Sequence, residues 1–570
     1  MASIRPSNNN YLDQLLDCLL VETEINRKEQ VLTDVLKIYS ASRDDYHLRF
    51  SVWQCLAQIK NYQLLTNLII QDIQRVSANQ WLFMRGVDHL IAMEQIQDAC
   101  HLFINCQFKT RLIEPIRLYK QISTLVTKIG KQEGLRWLNS FPKDSPLNEL
   151  ILAKKGQLYF LSKKYPAALS SFRLIDDKSI IPQSSLSLWA QAAVFSSGQQ
   201  RQNDIERILC FAANKMSPGL VHYLLIAIVV HGNLELAWKI FDSLDEYLLS
   251  QWEVLLWINR IPLPKALEIS LSQTISRVYQ ENIDLDVRWK FQYTLLNIRH
   301  NQYTDATTIL REVGEVHPSL AHLSVPLSMA CASERVEAVP AIQPDRLSPV
   351  SLIEHPEAQA TCVVFAGWSG ALGYFSENYL AQCFEEYAIN LLILQDPSMK
   401  WFASGLKSFG SSIEETSSSL RDAYSHLFRK PTICLGSSVS GLAALHYSVP
   451  LKAQAVMSFA GIRSASDFKV SITEVDIEAS GHKAMVRLEK LKCMYGSSKT
   501  VLEAIDSTNI RLHYVYGEEN TKDKATFDFY SQYANIEEHV IRGVDTHSIA
   551  NHCIGHNLLP QIMNRVIAQL

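Results

Sequence analysis

From Tyr11 to about Ala332, apolar residues recur at i, i+3, i+4 and i+7 between short polar breaks, as in Leu12, Leu15, Leu16, Leu19 and again in Leu64, Leu65, Leu68, Ile69. That period predicts a long succession of amphipathic helices and almost no strand. Superimposed on it is a second regularity, a small residue four positions before a large apolar one: Ala99/Phe103, Ala168/Phe172, Ala237/Phe241 and Ala306/Leu310, at equal intervals of 69 residues. Gly134/Leu138 falls between the first two and halves the interval. A period near 34 residues predicts stacked helix pairs, because one pair alone cannot bury both its faces.

Pro340, Pro344 and Pro349 interrupt the pattern, and residues 336–358 read as a surface linker with few contacts across it. Beyond Cys362 the period changes. Short apolar runs at Cys362–Ala366, Asn390–Leu394, Thr432–Leu435, Ala453–Ala460, Arg511–Gly517 and Glu538–Ile541 are separated by helical stretches such as Ile413–Phe428 and Leu558–Leu570. Strands alternating with helices predict a mostly parallel sheet covered on both faces. The expected organisation is therefore an all-α helical-repeat solenoid over 1–335, the linker at 336–358, and an α/β domain over 359–570.

Composition narrows the function classes. Hydrophobic residues at 47% and charged residues at 20% are ordinary for a globular protein, and a net charge of -4 gives no electrostatic case for nucleic acid or an anionic membrane. The first ten residues lack the basic start and long apolar core of a signal peptide, and the apolar run Leu220–Val230 is too short to span a bilayer. Eleven cysteines, odd in number and without CxxC spacing, favour reduced thiols and a cytoplasmic setting. No P-loop, dinucleotide fingerprint or cysteine-rich zinc pattern is present, so neither cofactor nor metal is expected.

The chemistry concentrates at Gly436-Ser437-Ser438-Val439-Ser440-Gly441. An apolar strand ends at Gly436 and an Ala-rich helix begins at Val439, so the chain turns sharply about Ser438 and presents its hydroxyl. This motif resembles the nucleophile elbow of the α/β-hydrolase family, with Ser440 where a second glycine is commonest. The resemblance covers the C-terminal part of the chain and implies a serine nucleophile, Ser438. It also implies an oxyanion hole from the N–H of Val439 and that of Trp368 or Ser369 in the glycine-bounded loop after the first strand. A histidine base, His547, and an acid after a late strand complete what it implies. For the acid, Asn520 holds the position three after Gly517, so Asp523 is the first choice, with Glu518, Glu519 and Asp545 behind it. His552 and His556, with Cys553 between them, lack the glutamate of an HExxH zinc motif and are read as helix-surface residues.

In the helical part Leu152, Gly156 and Tyr159, followed by Ala168 and Phe172, resemble the tetratricopeptide repeat, and Pro318 stands where that repeat ends its second helix. The resemblance covers roughly residues 30–330 and implies a groove for a protein or glycan-machinery partner. Together the two resemblances imply a serine-dependent acyl hydrolase or acyltransferase, acting on an ester or thioester of a small or macromolecular substrate. The contrasting reading is an interaction scaffold with an inactive hydrolase-like domain, favoured by Asn520. The stretch Lys483–Lys492 reads as a basic amphipathic helix within a long crossover, as part of an acyl pocket or small lid or as a plain solvated crossover.

Overall fold

The computed structural model describes the chain except for residues 1–6, 22–24, 42–44, 76–78, 107, 109–111, 177–180, 213–215, 283, 339–345, 368–370, 463–494 and 496–497. Lys483–Lys492, Trp368 and Ser369 thus lie outside the described residues. The chain forms two compact units, Met1–Met216 and Ser217–Leu570.

The first unit is helical throughout its described residues. Each helix packs on the next, and many also on the next but one: Pro115–Ile129 lies against Lys131–Asn139 and Asn148–Leu161, and the latter against Tyr165–Arg173 and Gln183–Ala193. The small residues singled out in the sequence mark the helix crossings. Ala99, Phe103, Leu138, Ala168 and Phe172 are all fully buried, and a Cβ added at Gly156 would come 2.5 Å from the Phe172 ring. A methyl group there would force two helices apart, which is why the position is glycine.

The second unit holds a seven-stranded sheet: β1 (Val350–Ile353), β2 (Ala360–Phe365), β3 (Ile389–Leu394), β4 (Thr432–Ser437), β5 (Ala455–Phe459), β6 (Arg511–Gly517) and β7 (Ile536–Ile541). Their order is β1-β3-β2-β4-β5-β6-β7, with every neighbouring pair parallel except β1 with β3. β2 to β5 are buried on both faces, which explains why their sequences are mainly apolar rather than alternating. The chain runs outward from β2 to β3 and returns to β4 on the other side. The C-terminal ends of β2 and β4 therefore flank the switch point at which α/β sheets place their ligands.

The division at Met216 differs from the one expected at the proline-containing segment. Within the second unit the helix Pro318–Cys331 packs on Ile549–Gly555 near the C-terminus, and a Cβ at Gly555 would overlap the carbonyl oxygen of Pro326. The Tyr379 hydroxyl donates to the Ala330 carbonyl at 3.1 Å, and Arg346, beyond the prolines, donates to the Asn259 carbonyl at 2.8 Å. Val350–Ile353, expected to be linker, is the antiparallel edge strand β1. Prolines stop helices but do not stop packing, and the helix Pro318–Cys331, the last α-helix before them, buries part of its face against the sheet-bearing part of the unit.

His446, on the helix Val439–Leu451, is 7% exposed with its Nε2 unpartnered, and its ring lies 4.9 Å from that of Tyr495. Burial pulls its pKa down to about 4, against a smaller opposing pull from Glu414. Between about pH 6.5 and 4 the unfolded chain binds a proton here that the folded chain does not, so stability falls as pH falls through that window. Urea midpoints measured from pH 7 to 4.5 should drop less in His446→Phe than in the native protein.

Candidate functional site

The elbow forms because β4 runs directly into the helix Val439–Leu451 with only Ser438 between them. Ser438 has φ 55° and ψ -121°, a region that costs a non-glycine residue about 1–3 kcal/mol. Its N–H donates to the Phe459 carbonyl at the end of β5, 2.8 Å away, and its carbonyl accepts from Gly441, so the strained residue is pinned from both sides.

Its neighbours are small for definite reasons. A Cβ at Gly436 would overlap the Ser440 carbonyl oxygen, and one at Gly441 would come within 2.6 Å of the Ser458 Oγ and 3.0 Å of the Gly461 Cα. The close approach that rules out a side chain thus falls on Gly441, one position later than the commonest pattern. Ser440 is free to carry a hydroxyl, which donates to the Ala366 carbonyl at 3.1 Å and ties the elbow to the loop that leaves β2. Gly436→Ala should lower stability by about 1–3 kcal/mol, because backbone rather than a movable side chain must give way. Urea unfolding at pH 7 measures it.

Three sequence-predicted side chains meet at the switch-point end of the sheet. The Ser438 Oγ lies 2.8 Å from the His547 Nε2, and the His547 Nδ1 lies 2.8 Å from the Asp523 Oδ1. Ser438 is half-buried, the His547 side chain is 14% exposed and that of Asp523 5%. The Ser438 hydroxyl can therefore hand its proton to the His547 Nε2, while the carboxylate behind the imidazole is the more buried of that pair.

Asn520 accounts for the position of Asp523. It caps the helix Thr521–Tyr530, its Oδ1 accepting from the Asp523 N–H at 3.1 Å, which fixes Asp523 at the third helical position. An anion there is favoured by the helix dipole. The competing carboxylates do not come in: Glu519 and Asp545 are exposed, and Glu518 is exposed with its Oε2 accepting from the Gly543 N–H at 3.1 Å. Of the oxyanion candidates, Val439 opens the helix at Ser438, where helical geometry leaves its N–H without an intrahelical partner.

His552 and His556 stack with ring centroids 3.9 Å apart, and the His556 Nδ1 is 3.1 Å from the His552 carbonyl. Burial first, then His556, pulls the His552 pKa down to about 4.

A pocket lined by Ala366, Gly367, Met399, Trp401, Phe402 and Arg346 among others reaches the loop that leaves β2, but Ser438, His547 and Asp523 are not part of its lining. Met399, Trp401 and Phe402 all have positive φ. Their strained loop is held by Asp396, whose carboxylate accepts from the N–H groups of Ser398 at 3.0 Å and Phe402 at 2.9 Å. Hydroxyls close it from the other side, Tyr447 donating to the Phe402 carbonyl at 2.9 Å and Tyr495 to that of Trp401. The pocket wall was not legible in the sequence; the only hint is Asp396-Pro397 directly after a strand.

No family model matches this chain, and no curated protein does. Among solved structures it is similar to a carboxylesterase of the thaumarchaeon Nitrososphaera gargenis, at 10% identity and a TM-score of 0.26, over 39% of this chain and 94% of that one. An α/β-hydrolase from the metagenome of Mar Chica lagoon sediments, Morocco, matches at 15% identity and 0.28, over 39% and 97%. The capsule O-acetyltransferase of Neisseria meningitidis serogroup A matches at 12% and 0.27, over 38% and 92%. Similarity at this level bears on neither activity nor substrate.

Proposed function

We propose that this protein is a serine-dependent acyl hydrolase or acyltransferase of the α/β-hydrolase type, acting on an ester or thioester. The observation that carries the reading is the unbroken line from Ser438 through His547 to Asp523 at the end of a strained strand-to-helix turn. In the proposed reaction the His547 Nε2 takes the proton of the Ser438 hydroxyl as its oxygen bonds to the substrate carbonyl carbon. The carbonyl oxygen becomes an oxyanion, received by the Val439 N–H, an interaction worth about 3–4 kcal/mol per donor in such sites. The intermediate collapses, the imidazolium returns its proton to the leaving oxygen or sulfur, and the acyl group stays on Ser438. Water or an acceptor hydroxyl then repeats the sequence in reverse. Asp523 keeps the Nδ1 protonated and supports the imidazolium.

The scaffold reading drew on Asn520, and the capping role of that residue accounts for it without loss of the acid. In the present reading the helices before the sheet belong to tetratricopeptide-like repeats that present a macromolecular acyl donor or acceptor, in a reducing, cytoplasmic compartment. An acceptor held beside Ser438 gains effective molarity over water. The full-length protein, treated with a fluorophosphonate, should gain one adduct whose peptide maps to Ser438. Native protein that stays unmodified under conditions that label a known serine esterase would sink the proposal.

A further inference from the structure

We propose that His513, Glu537 and His539 form a binding site for a divalent transition-metal ion of the zinc class. The three lie on the adjacent strands β6 and β7, His513 directly opposite Glu537 in the register and His539 two positions on, hence on the same face. Leu512, Tyr514 and Tyr516 point to the other face, into the main core.

The geometry is that of a ligand set. The His513 Nδ1 is 3.2 Å from the His539 Nε2 and 3.6 Å from the Glu537 Oε2, and the His539 Nε2 is 3.8 Å from the Glu537 Oε1. A tetrahedral zinc ion with ligands at about 2.0–2.2 Å sets its donor atoms about 3.3–3.6 Å apart. One donor atom from each of the three residues lies within 4.8 Å of the other two, so a small adjustment of the Glu537 carboxylate, whose two oxygens now face one ring each, brings three donors to that spacing. Two imidazole nitrogens and a carboxylate oxygen are a donor set suited to zinc rather than to calcium or magnesium. The carboxylate is also oriented: the Gln569 amide donates to the Glu537 Oε2 at 2.5 Å, the kind of support that metal-ligating carboxylates receive.

What the cluster lacks otherwise is an explanation. His513 is 0% and His539 4% exposed, two imidazoles buried side by side against one carboxylate. Without an ion the two rings share a single N–H between them at the sheet face. Burial foremost depresses both imidazoles, His513 to about 4, with Glu537 opposing and Arg511 and Arg565 assisting on one ring each. Arg511 itself is engaged by the Gln569 carbonyl.

His513 stands four residues before Gly517, roughly 13 Å back along β6 from the end of the sheet at which Ser438 lies, and Ser438 follows β4, two strands away. The ion therefore takes no part in the proposed acyl chemistry; it staples β6, which leads to Asp523, to β7, which leads to His547.

The test uses the full chain, freed of metal with a chelator and dialysed to equilibrium against Zn2+ or Co2+, with bound metal read by elemental analysis. About one tightly held equivalent is expected, with a rise in Tm of about 3–4 °C at hundredfold excess over Kd. His539→Gln and Glu537→Gln should each weaken binding at least about tenfold, as loss of a ligand does, while His556→Gln, on the stacked pair, leaves it unchanged. Uptake by the native chain no greater than by His539→Gln, or retention in Glu537→Gln of native affinity, overturns the site. Should His539→Gln fail to fold, Glu537→Gln decides alone, because its side chain is a third exposed and its loss leaves packing intact.

Discussion

Ser438→Ala is expected to reduce turnover of an activated ester such as p-nitrophenyl acetate by about 10⁶-fold, the scale on which loss of the nucleophile abolishes such sites. Nothing else in the site can replace it. Ser437 and Ser440 flank it, but the Ser440 hydroxyl is committed to the Ala366 carbonyl and only Ser438 lies 2.8 Å from the His547 Nε2. The substitution keeps the Cβ and therefore the same backbone strain at φ 55°. Folding should be unchanged, and the Tm of the variant should match that of the native protein. Residual activity above a hundredth of native, with the fold intact, would move the nucleophile elsewhere.

Asp523→Asn is expected to lower kcat about 10⁴-fold with a small effect on KM. An amide that turns its NH2 toward the His547 Nδ1 makes that nitrogen an acceptor and leaves the proton on the Nε2. The imidazole then cannot take the Ser438 proton. The alternative rotamer keeps the tautomer but has no charge to support the imidazolium and buries the NH2 where the Asp523 Oδ2 already lacks a partner. Leaving a buried donor unmet costs about 1–3 kcal/mol, so a modest loss of stability accompanies the loss of rate. The Asn520 cap accepts from the backbone N–H of residue 523 and survives the change. Native kcat in Asp523→Asn, with loss in Glu518→Gln or Glu519→Gln, would reassign the acid.

These two effects follow from side chains legible along the chain in different degrees. Ser438 was legible because its requirements are local: an apolar strand, a turn too tight for a Cβ, and a helix within eight residues. His547 could be placed because it stands on a loop between a last apolar strand and a last amphipathic helix. Asp523 was one of four carboxylates near the right place. Sequence spacing alone does not say which of them a helix cap will draw inward, and the Asn520 side chain settles that only once its hydrogen bond to the residue 523 N–H exists.

The sequence by itself determined the element types, since the 3.6-residue pattern selects helix and short apolar runs of about four to eight residues bounded by turn residues select buried strands. It also determined the small-residue helix crossings, since Ala and Gly at fixed intervals leave room for nothing else. Only the tertiary structure decided where the compact units divide. The helices from Ser217 to Cys331 carry the same pattern as those before them, and an apolar helix face does not encode whether it meets another helix or the sheet unit. Pro326 against Gly555 and Tyr379 on Ala330 are contacts between residues far apart in the chain, as is the meeting of His513 with Glu537 and His539. Such pairings depend on strand order and register, which arise from burying all the apolar faces at once and leave no trace in any local stretch of sequence.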